Sequence, residues 1–165
     1  MSVAPPELDP QAPPLFVINA ASGSEDGQAK RRQIEAALEA AGRRGEILLS
    51  DSAGLARVVR QAAARARATR TAIVAVGGDG TLNTIAQAAH EVGCAVGLVP
   101  QGTFNYVARS HGIPADVAAA TQMLFESRPV PVQVAAVNDR IFLVNASLGL
   151  YPDLLEDRER YKARF

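Results

Sequence analysis

The chain has 165 residues, 48% of them hydrophobic and 21% charged, which is typical of a soluble globular protein with a sizeable core. Its 17 basic and 17 acidic residues balance, so the net charge gives no reason to expect a nucleic-acid partner. A single cysteine, Cys94, excludes an intramolecular disulfide. No apolar run resembles a membrane span or a signal peptide, so we expect a cytoplasmic protein.

The proline-rich residues 1–13 have little to bury, which predicts a disordered lead-in. Apolar strands and helical patterns then alternate four times. The predicted strands are residues 15–18, 46–49, 71–76 and 95–99. The predicted helices are residues 29–41, 55–66 (capped from residues 50–52), 82–90, 105–110 and 113–127. This alternation predicts an α/β fold with a doubly wound, mostly parallel sheet and helices on both faces.

The pattern changes at Pro129, where alternating β begins. Residues 130–137 and 140–145, separated by Asn138 and Asp139, predict a β-hairpin. The chain becomes charged from Tyr151 and ends at Phe165 without a helix cap. We therefore expect the α/β domain to span residues 14–128, and residues 129–165 to be the start of a truncated, β-rich second domain.

The third predicted strand runs into Gly77, Gly78, Asp79, Gly80 and Thr81, and a helical pattern follows. Glycines let an anion approach the backbone, and the helix N-terminus offers unpaired N–H groups, so this turn favours phosphate binding. A plain tight turn with Thr81 as a first-turn residue is the alternative. Phosphates repel Asp79, so it would act through Mg²⁺ or instead bind a sugar hydroxyl or a backbone N–H. The turn is neither a Walker A loop nor a dinucleotide G-x-G-x-x-G.

Two other loops follow predicted strands. Asn19 ends the first strand, and Ser22 and Gly23 come after it, either as a plain loop or as a second wall of a ligand site. Gly102 and Thr103 lie in a second glycine loop after the fourth strand. Because parallel strands bring their carboxyl ends to one edge of the sheet, these loops are expected to lie close together.

The remaining polar residues give weaker signals. The basic run at residues 30–32 is typical of a solvated helix face, although near the first strand it could reach an anionic substrate. His90 and His111 have no metal-ligand partner at a useful spacing. No Ser/His/Asp or Cys/His catalytic set can be assigned.

These loops resemble the motifs of the diacylglycerol kinase catalytic-domain family, which includes sphingosine kinases and is related to NAD kinases. The family's N-P-x-S-G is similar to residues 19–23, with Ala20 in place of proline, and G-G-D-G-T-[LIV]-N is matched completely by residues 77–83. P-x-G-T-x-N-D-x-A-R resembles residues 100–109, where Tyr106 replaces the usual aspartate. Weaker matches are Ser50 ahead of a Gly-x-Ala and residues 145–149. The resemblance covers roughly residues 14–155.

The resemblance implies an ATP site between two lobes, with Asp79 as the catalytic residue and the Mg²⁺ ligand. The residues expected to bind the nucleotide are Asn19, Ser22, Gly23, Ser50, Gly77, Gly78, Asp79, Gly80, Thr81, Leu82, Asn83, Gly102, Thr103 and Asn105. Asn105 and Arg109 would order the second loop, and Arg109 would meet a phosphate or form a structural ion pair. The family's general base belongs to the second domain, so the chain alone is expected to bind nucleotide weakly and turn over little.

We therefore expect the N-terminal ATP-binding domain of a lipid kinase that transfers the γ-phosphoryl group of ATP to a diacylglycerol-like hydroxyl. An NAD-kinase-like enzyme is the first alternative, although the second loop favours the lipid kinases. A non-catalytic nucleotide-binding module, with Tyr106 as its sign, is the second alternative. A lipid substrate implies at most peripheral membrane contact. The hairpin, with an exposed apolar edge, predicts self-association into a homo-oligomer.

Overall fold

A computed structural model describes residues 4–20 and 27–146 of the chain, in which strands and helices alternate. The elements are, in chain order, β1 (Leu15–Asn19), α1 (Gly27–Ala40), β2 (Glu46–Ser50), α2 (Leu55–Ala68), β3 (Ala72–Gly77), α3 (Asp79–Val92), β4 (Ala95–Pro100), α4 (Tyr106–Ser110), α5 (Val117–Glu126), β5 (Ala135–Val137) and β6 (Arg140–Phe142). None of the helices within these described ranges is long and apolar enough to cross a membrane.

The first four strands form one parallel sheet in the order β2-β1-β3-β4. Asn19 lies beside Ser50 in the register of β1 and β2, and Gly77 lies beside Pro100 in that of β3 and β4. The carboxyl ends of all four strands are therefore aligned along one border of the sheet, which we call the carboxyl edge. The predicted parallel sheet is confirmed.

The sheet is covered by helices on both faces, because successive residues of a strand point to opposite sides. In β1, Leu15 and Val17 pack with α2 and α3, whereas Phe16 and Ile18 pack with α1 and α5. Both layers are apolar, as expected for a parallel sheet that is buried on each face. The predicted doubly wound architecture is confirmed.

The strand order places a topological switch point between β1 and β3. The chain leaves β1 for α1 on one face, and it leaves β3 for α3 on the other face. A crevice opens at the carboxyl edge wherever neighbouring strands connect to opposite faces, and open α/β sheets bind their ligands there. The glycine-rich residues 77–81, for which the sequence predicted phosphate binding, lie at the end of β3, at this crevice.

Several helix starts and caps differ from the predicted ones, although α2 begins at Leu55 as predicted. α3 begins at Asp79, three residues before the predicted start, because extended Gly78 is its N-cap. α2 has Gly54 as its N-cap, without a side-chain cap bond. Asp51 instead accepts a hydrogen bond from the Gly54 N–H at 2.7 Å, so it closes the turn that precedes α2. Asp116 caps α5 by accepting the Ala119 N–H at 2.8 Å.

The hairpin of β5 and β6 is antiparallel, as predicted, but each of its strands has only three residues. Residues 130–134 were predicted to extend the first strand, yet they form none. Pro131 lacks an N–H to donate to a neighbouring strand, which explains part of the shortening. Asn138 adopts a φ of +52° in the turn, a conformation that asparagine tolerates better than most residues.

The lead-in before β1 contains no helix or strand in its described residues. It nevertheless contacts the turn between α2 and β3. The Asp9 N–H donates to the Arg70 carbonyl at 2.8 Å, and the Thr71 hydroxyl donates to the Ala12 carbonyl at 3.2 Å. These two contacts are made by residues 9 and 12, and both the disordered lead-in over residues 1–13 and the domain boundary at residue 14 stay predictions. Residues 147–165, including the predicted charged end, lie outside the described residues.

Candidate functional site

Two glycine turns meet at the carboxyl edge, and we call residues 77–81 the first turn and residues 101–105 the second turn. The Gln101 N–H donates to the Gly77 carbonyl at 2.9 Å. One residue further on, a Cβ on Gly78 would lie 3.1 Å from the Gly102 Cα, and a Cβ on Gly102 would overlap the Gly78 Cα. The close approach of the two backbones therefore requires glycine at position 102 and favours it at position 78, and the two turns form one continuous surface.

The carboxylate of Asp79 joins the first turn to the start of α4. Its Oδ2 accepts a hydrogen bond from the Tyr106 N–H at 3.1 Å, and its Oδ1 accepts one from the Val107 N–H at 3.3 Å. The first N–H groups of a helix have no partner inside the helix, so a carboxylate placed there satisfies them. Of the roles that the sequence left open for Asp79, the structure shows the contact with backbone N–H groups.

Asn105 closes the second turn on itself. Its Oδ1 accepts the Gly102 N–H at 3.0 Å, and its Nδ2 donates to the Gly102 carbonyl at 2.8 Å. The Gly102 N–H is thus already used within the second turn and is not available to an anion. Arg109 is exposed and forms no ion pair with a residue of the described ranges.

The first turn presents open backbone at Gly80. Gly80 is the second residue of α3, and the N–H groups at a helix start have no partner inside the helix. Gly80 is also exposed. A Cβ on Gly80 would meet no atom within 4 Å, and its φ is not in the left-handed range. Thr81 is different, because it is buried, and a Cβ on Gly77 would lie 3.0 Å from its hydroxyl oxygen. The surface of the turn is therefore free of side chains at Gly80.

A metal ion would find few protein ligands at this surface. Asp79 is the only acidic residue of the two turns, and each of its oxygens already accepts one hydrogen bond. Within residues 4–20 and 27–146, no cluster of three His, Cys, Asp or Glu residues could hold a metal. Mg²⁺ commonly takes one or two carboxylates together with phosphate oxygens and water, so Asp79 fits it as a single protein ligand. The metal role of Asp79 stays a prediction.

Other residues predicted for the site also end strands. Asn19 and Ser50 lie side by side at the carboxyl edge, and both are largely buried. The Ser50 hydroxyl donates to the Asp51 carbonyl at 3.0 Å, and Thr103 is exposed in the second turn. Ser22 and Gly23 lie outside the described residues. The structure thus brings Ser50 and Asn19 to the same edge as both turns, and their roles toward a ligand stay predictions.

Leu82 and Asn83 point away from the surface of the first turn. The Leu82 side chain is buried in the core between the sheet and α2, so any ligand contact would have to come from its backbone. Asn83 reaches the hairpin, where its Nδ2 donates to the Ile141 carbonyl at 3.4 Å. Its Oδ1 is buried and has no hydrogen-bond partner among the described residues. Asn83 therefore connects the helix of the first turn to β6.

A cleft of about 730 Å³ lies beside the second turn, and no sequence motif predicted it. Lys30 and Gln33 of α1 line it, together with Gln101, Gly102 and the start of α5. Lys30 is only 1% exposed, whereas its neighbours Arg31 and Arg32 are exposed, so the basic run at residues 30–32 does not form one surface. The cleft depends on how α1 and α5 pack, which local sequence patterns do not specify.

Two exposed aromatic side chains stack on each other, and the sequence did not predict this contact. The rings of Phe104 and Tyr106 stack with centroids 5.5 Å apart and planes inclined by 9°, and both are exposed. Tyr106 stands where the family usually has aspartate, yet its backbone N–H still binds Asp79. The substitution therefore keeps the connection between the turns and replaces a carboxylate with an exposed ring.

Cys94 takes no part in this surface. Its side chain packs against the core between α2 and α3, and burial raises the pKa of its thiol to about 11. A thiol with this pKa is neutral near pH 7, so Cys94 is a poor nucleophile. This agrees with the expectation that it is a small core residue.

Comparison with known proteins identifies the family to which the chain is similar. The family model of the diacylglycerol kinase catalytic domain matches residues 13–137. A "probable lipid kinase YegS-like" of Cronobacter sakazakii is 38% identical over 114 residues, which are 66% of this chain and 37% of the relative. One of the same name from Pseudomonas aeruginosa is 38% identical over 130 residues, 77% of this chain and 42% of the relative.

Solved structures agree. The crystal structure of a diacylglycerol kinase from Bacillus anthracis matches with a TM-score of 0.66 and 25% identity, over 79% of this chain and 45% of that one. The chain thus spans less than half the length of these relatives. The fold, the two turns and the match over residues 13–137 lead to one conclusion: the chain belongs to the diacylglycerol kinase catalytic domain family.

Proposed function

We propose that this chain is the ATP-binding part of a lipid kinase, and that the phosphates of ATP bind the first turn at Gly78, Asp79 and Gly80. The γ-phosphoryl group would pass to a lipid hydroxyl of the diacylglycerol type. The family match and the names of the relatives, which are probable lipid kinases, support a kinase that acts on lipids. The position of the first turn, at the switch point of the sheet, supports nucleotide binding there.

The presence of glycine at position 80 is the observation that most strongly supports phosphate binding at the first turn. A glycine inside a helix costs roughly 0.5–1 kcal/mol of stability relative to alanine. Neither a left-handed φ nor a neighbouring atom requires glycine at this position. An anion that must approach the backbone would require it, because a Cβ would occupy the same space. A bound phosphate therefore accounts for a residue that the fold itself does not need.

The chemistry of phosphoryl transfer is consistent with this surface. The reaction depends mainly on hydrogen-bond donors and positive charge placed around the transferred group. The first N–H groups of α3 and the positive end of its dipole supply both. Mg²⁺, when bound, would neutralise phosphate charge, and Asp79 would be its protein ligand. We also propose that the protein works in the cytoplasm and that the 165-residue chain alone transfers phosphate slowly.

A substitution of Gly80→Ala tests the proposal because it separates binding from folding. The added methyl group fits the fold, so the melting temperature should stay the same or rise slightly. It should obstruct the phosphates, so the affinity for ATP, measured by titration calorimetry with Mg²⁺, should fall by roughly tenfold or more. His90→Ala, an exposed change near the other end of α3, is the control and should alter neither quantity. Unchanged ATP affinity in Gly80→Ala would refute the proposed phosphate position.

The acceptor is tested with the longest natural form of the protein and γ-labelled ATP. We expect label in diacylglycerol presented in mixed micelles, and none in NAD. Transfer to NAD would favour the first alternative reading of the sequence. ATP binding without transfer to either acceptor would favour the non-catalytic module.

A further inference from the structure

The exposed face of α2 carries an unusual excess of positive charge. The helix contains Arg57, Arg60, Arg65 and Arg67 and no acidic residue, although the whole chain has equal numbers of acidic and basic residues. All of these arginines are exposed. A balanced chain thus concentrates positive charge on one helix.

Three of the arginines form a single row, which we call the arginine stripe: Arg57, Arg60 and Arg67. At 3.6 residues per turn, they fall within about 80° of one another around the helix axis and extend over about 15 Å. Exposed Ala64 lies within this row and exposed Gln61 lies beside it, and neither is charged. A flat, negatively charged surface can therefore approach the stripe without meeting a carboxylate of α2.

Acidic residues do not neutralise the stripe. Arg65, which lies on the opposite side of the exposed face, pairs with Glu46 at 2.7 Å. Arg70, beyond the end of α2, pairs with Glu7 at 3.2 Å. In residues 4–20 and 27–146, no ion pair involves Arg57, Arg60 or Arg67. Glu46 and Glu7 are thus used at the flanks of α2, and Asp51 lies near only the Arg57 end of the stripe.

The apolar face of α2 is not available for insertion into a bilayer. Val59, Ala63 and Ala66 are almost completely buried against the sheet and α3. An amphipathic helix that binds membranes by insertion needs its apolar face free. Any contact through α2 must therefore be electrostatic and confined to the surface of the partner.

We infer that the arginine stripe docks the protein on the surface of a membrane that contains anionic lipids. Basic residues near an anionic bilayer each contribute about 1 kcal/mol, or about fivefold in affinity. The choice of a membrane rests on the proposed lipid substrate, which lies in a bilayer. The arginine stripe specifies which surface of the protein contacts the membrane, and it requires that the lipids be negatively charged.

The position of the stripe relative to the site agrees with this role. α2 follows β2, so its first turn lies at the carboxyl edge. The Arg57 guanidinium reaches back to within 3.9 Å of the position that a Cβ on Gly54 would take, next to the loop after Ser50. The Arg57 end of the stripe therefore lies near the β2 end of the carboxyl edge, so docking would place that end of the edge close to the membrane surface.

Vesicle sedimentation without ATP tests the inference independently of catalysis. The chain should bind vesicles of phosphatidylcholine and phosphatidylglycerol, and it should not bind phosphatidylcholine alone. Replacing Arg57, Arg60 and Arg67 together by glutamine should weaken the binding at least roughly tenfold. A control variant replaces Arg32, Arg44 and Arg128, which are exposed on or next to α1 and α5, and should bind as the unmodified chain does. Circular dichroism should show that both variants are folded.

Salt provides a second measurement that needs no variant. Raising NaCl from about 0.1 to about 0.5 M shortens the Debye length from roughly 10 to roughly 4 Å, and it should release the chain from the vesicles. Equal loss of binding in both triple variants would overturn the inference, and so would salt-resistant binding. Binding of duplex DNA as tight as that of vesicles, lost only in the stripe variant, would assign the stripe to nucleic acid instead. If ATP affinity is unaffected by Gly80→Ala while vesicle binding behaves as expected, the phosphate site fails and the docking surface stands.

Discussion

The carboxylate of Asp79 receives two backbone N–H groups of α4 and lies in the first turn of α3. A negative charge is favourable at both places, because the N-terminus of a helix carries partial positive charge. At the scale of single residues, Asp79 therefore holds the start of α4, which follows the second turn, next to the first turn. A role in metal binding would add to this task, since the carboxylate oxygens keep further lone pairs.

Asp79→Asn separates the two tasks. Asparagine keeps one acceptor oxygen and places an amide donor where the second oxygen was, so one N–H of α4 loses its partner. We expect the free energy of unfolding, measured with urea in Mg²⁺-free buffer containing a chelator, to fall by about 1 kcal/mol. Asp116→Asn is the control, because its side chain accepts a single N–H, which asparagine caps equally well. A variant that is as stable as the unmodified chain without metal, yet loses Mg·ATP affinity, would contradict the structural role.

At the scale of elements, α3 connects the candidate site to the hairpin. The N-terminal residues of α3 belong to the phosphate surface that we propose. Residues further along the helix contact β6 and the turn of the hairpin. Gln87 accepts the Ile141 N–H at 2.9 Å and donates to the Asp139 carbonyl at 3.1 Å. A two-stranded hairpin is marginally stable by itself, so these contacts hold it on the domain.

Gln87→Ala removes both contacts with the hairpin. We expect hydrogen exchange at the Ile141 amide to accelerate by roughly fivefold or more, because the loss of a hydrogen bond of about 1 kcal/mol favours local opening. The core strands should exchange as before. Gln122→Ala, whose side chain bonds only Glu126 on the surface of α5, is the matched control. Protection of Ile141 that is the same in all three proteins would rule out the proposed anchoring.

Elements were easier to predict than the contacts between them. The four parallel strands and their helices follow from apolar periodicity, and the family motifs identified the turns of Gly78 and Gly102. No local pattern indicated that these two glycines touch, because their contact depends on the register of β3 and β4. The partners of Asp79 could not be chosen for the same reason, since α4 is brought to the first turn by the sheet. The cleft lined by Lys30 likewise depends on helix packing.

At the scale of the whole molecule, exposed apolar residues concentrate near the hairpin. Val130 is 70% exposed and Val132 is 50% exposed, and all of β5 is exposed. An apolar edge with unpaired backbone groups is a ready site for pairing with another chain. Self-association stays a prediction, and these exposed residues are the surface through which we expect it.

Sedimentation velocity over a range of concentrations tests this prediction. We expect the chain to associate reversibly, and Val137→Lys, on the exposed face of β5, to shift it toward monomer because a charge resists burial. Gln122→Lys adds the same charge on α5 and should leave association unchanged. A monodisperse monomer at the highest attainable concentration would contradict the prediction.

Binding of the ATP phosphates at the first turn can be tested by titrating the chain with Mg·ATP and recording amide NMR spectra. We expect the largest shifts at the amides of Gly78, Asp79, Gly80 and Thr81, whose N–H groups would face the phosphates. Saturating ATP that shifts amides elsewhere and leaves these four unchanged would contradict it.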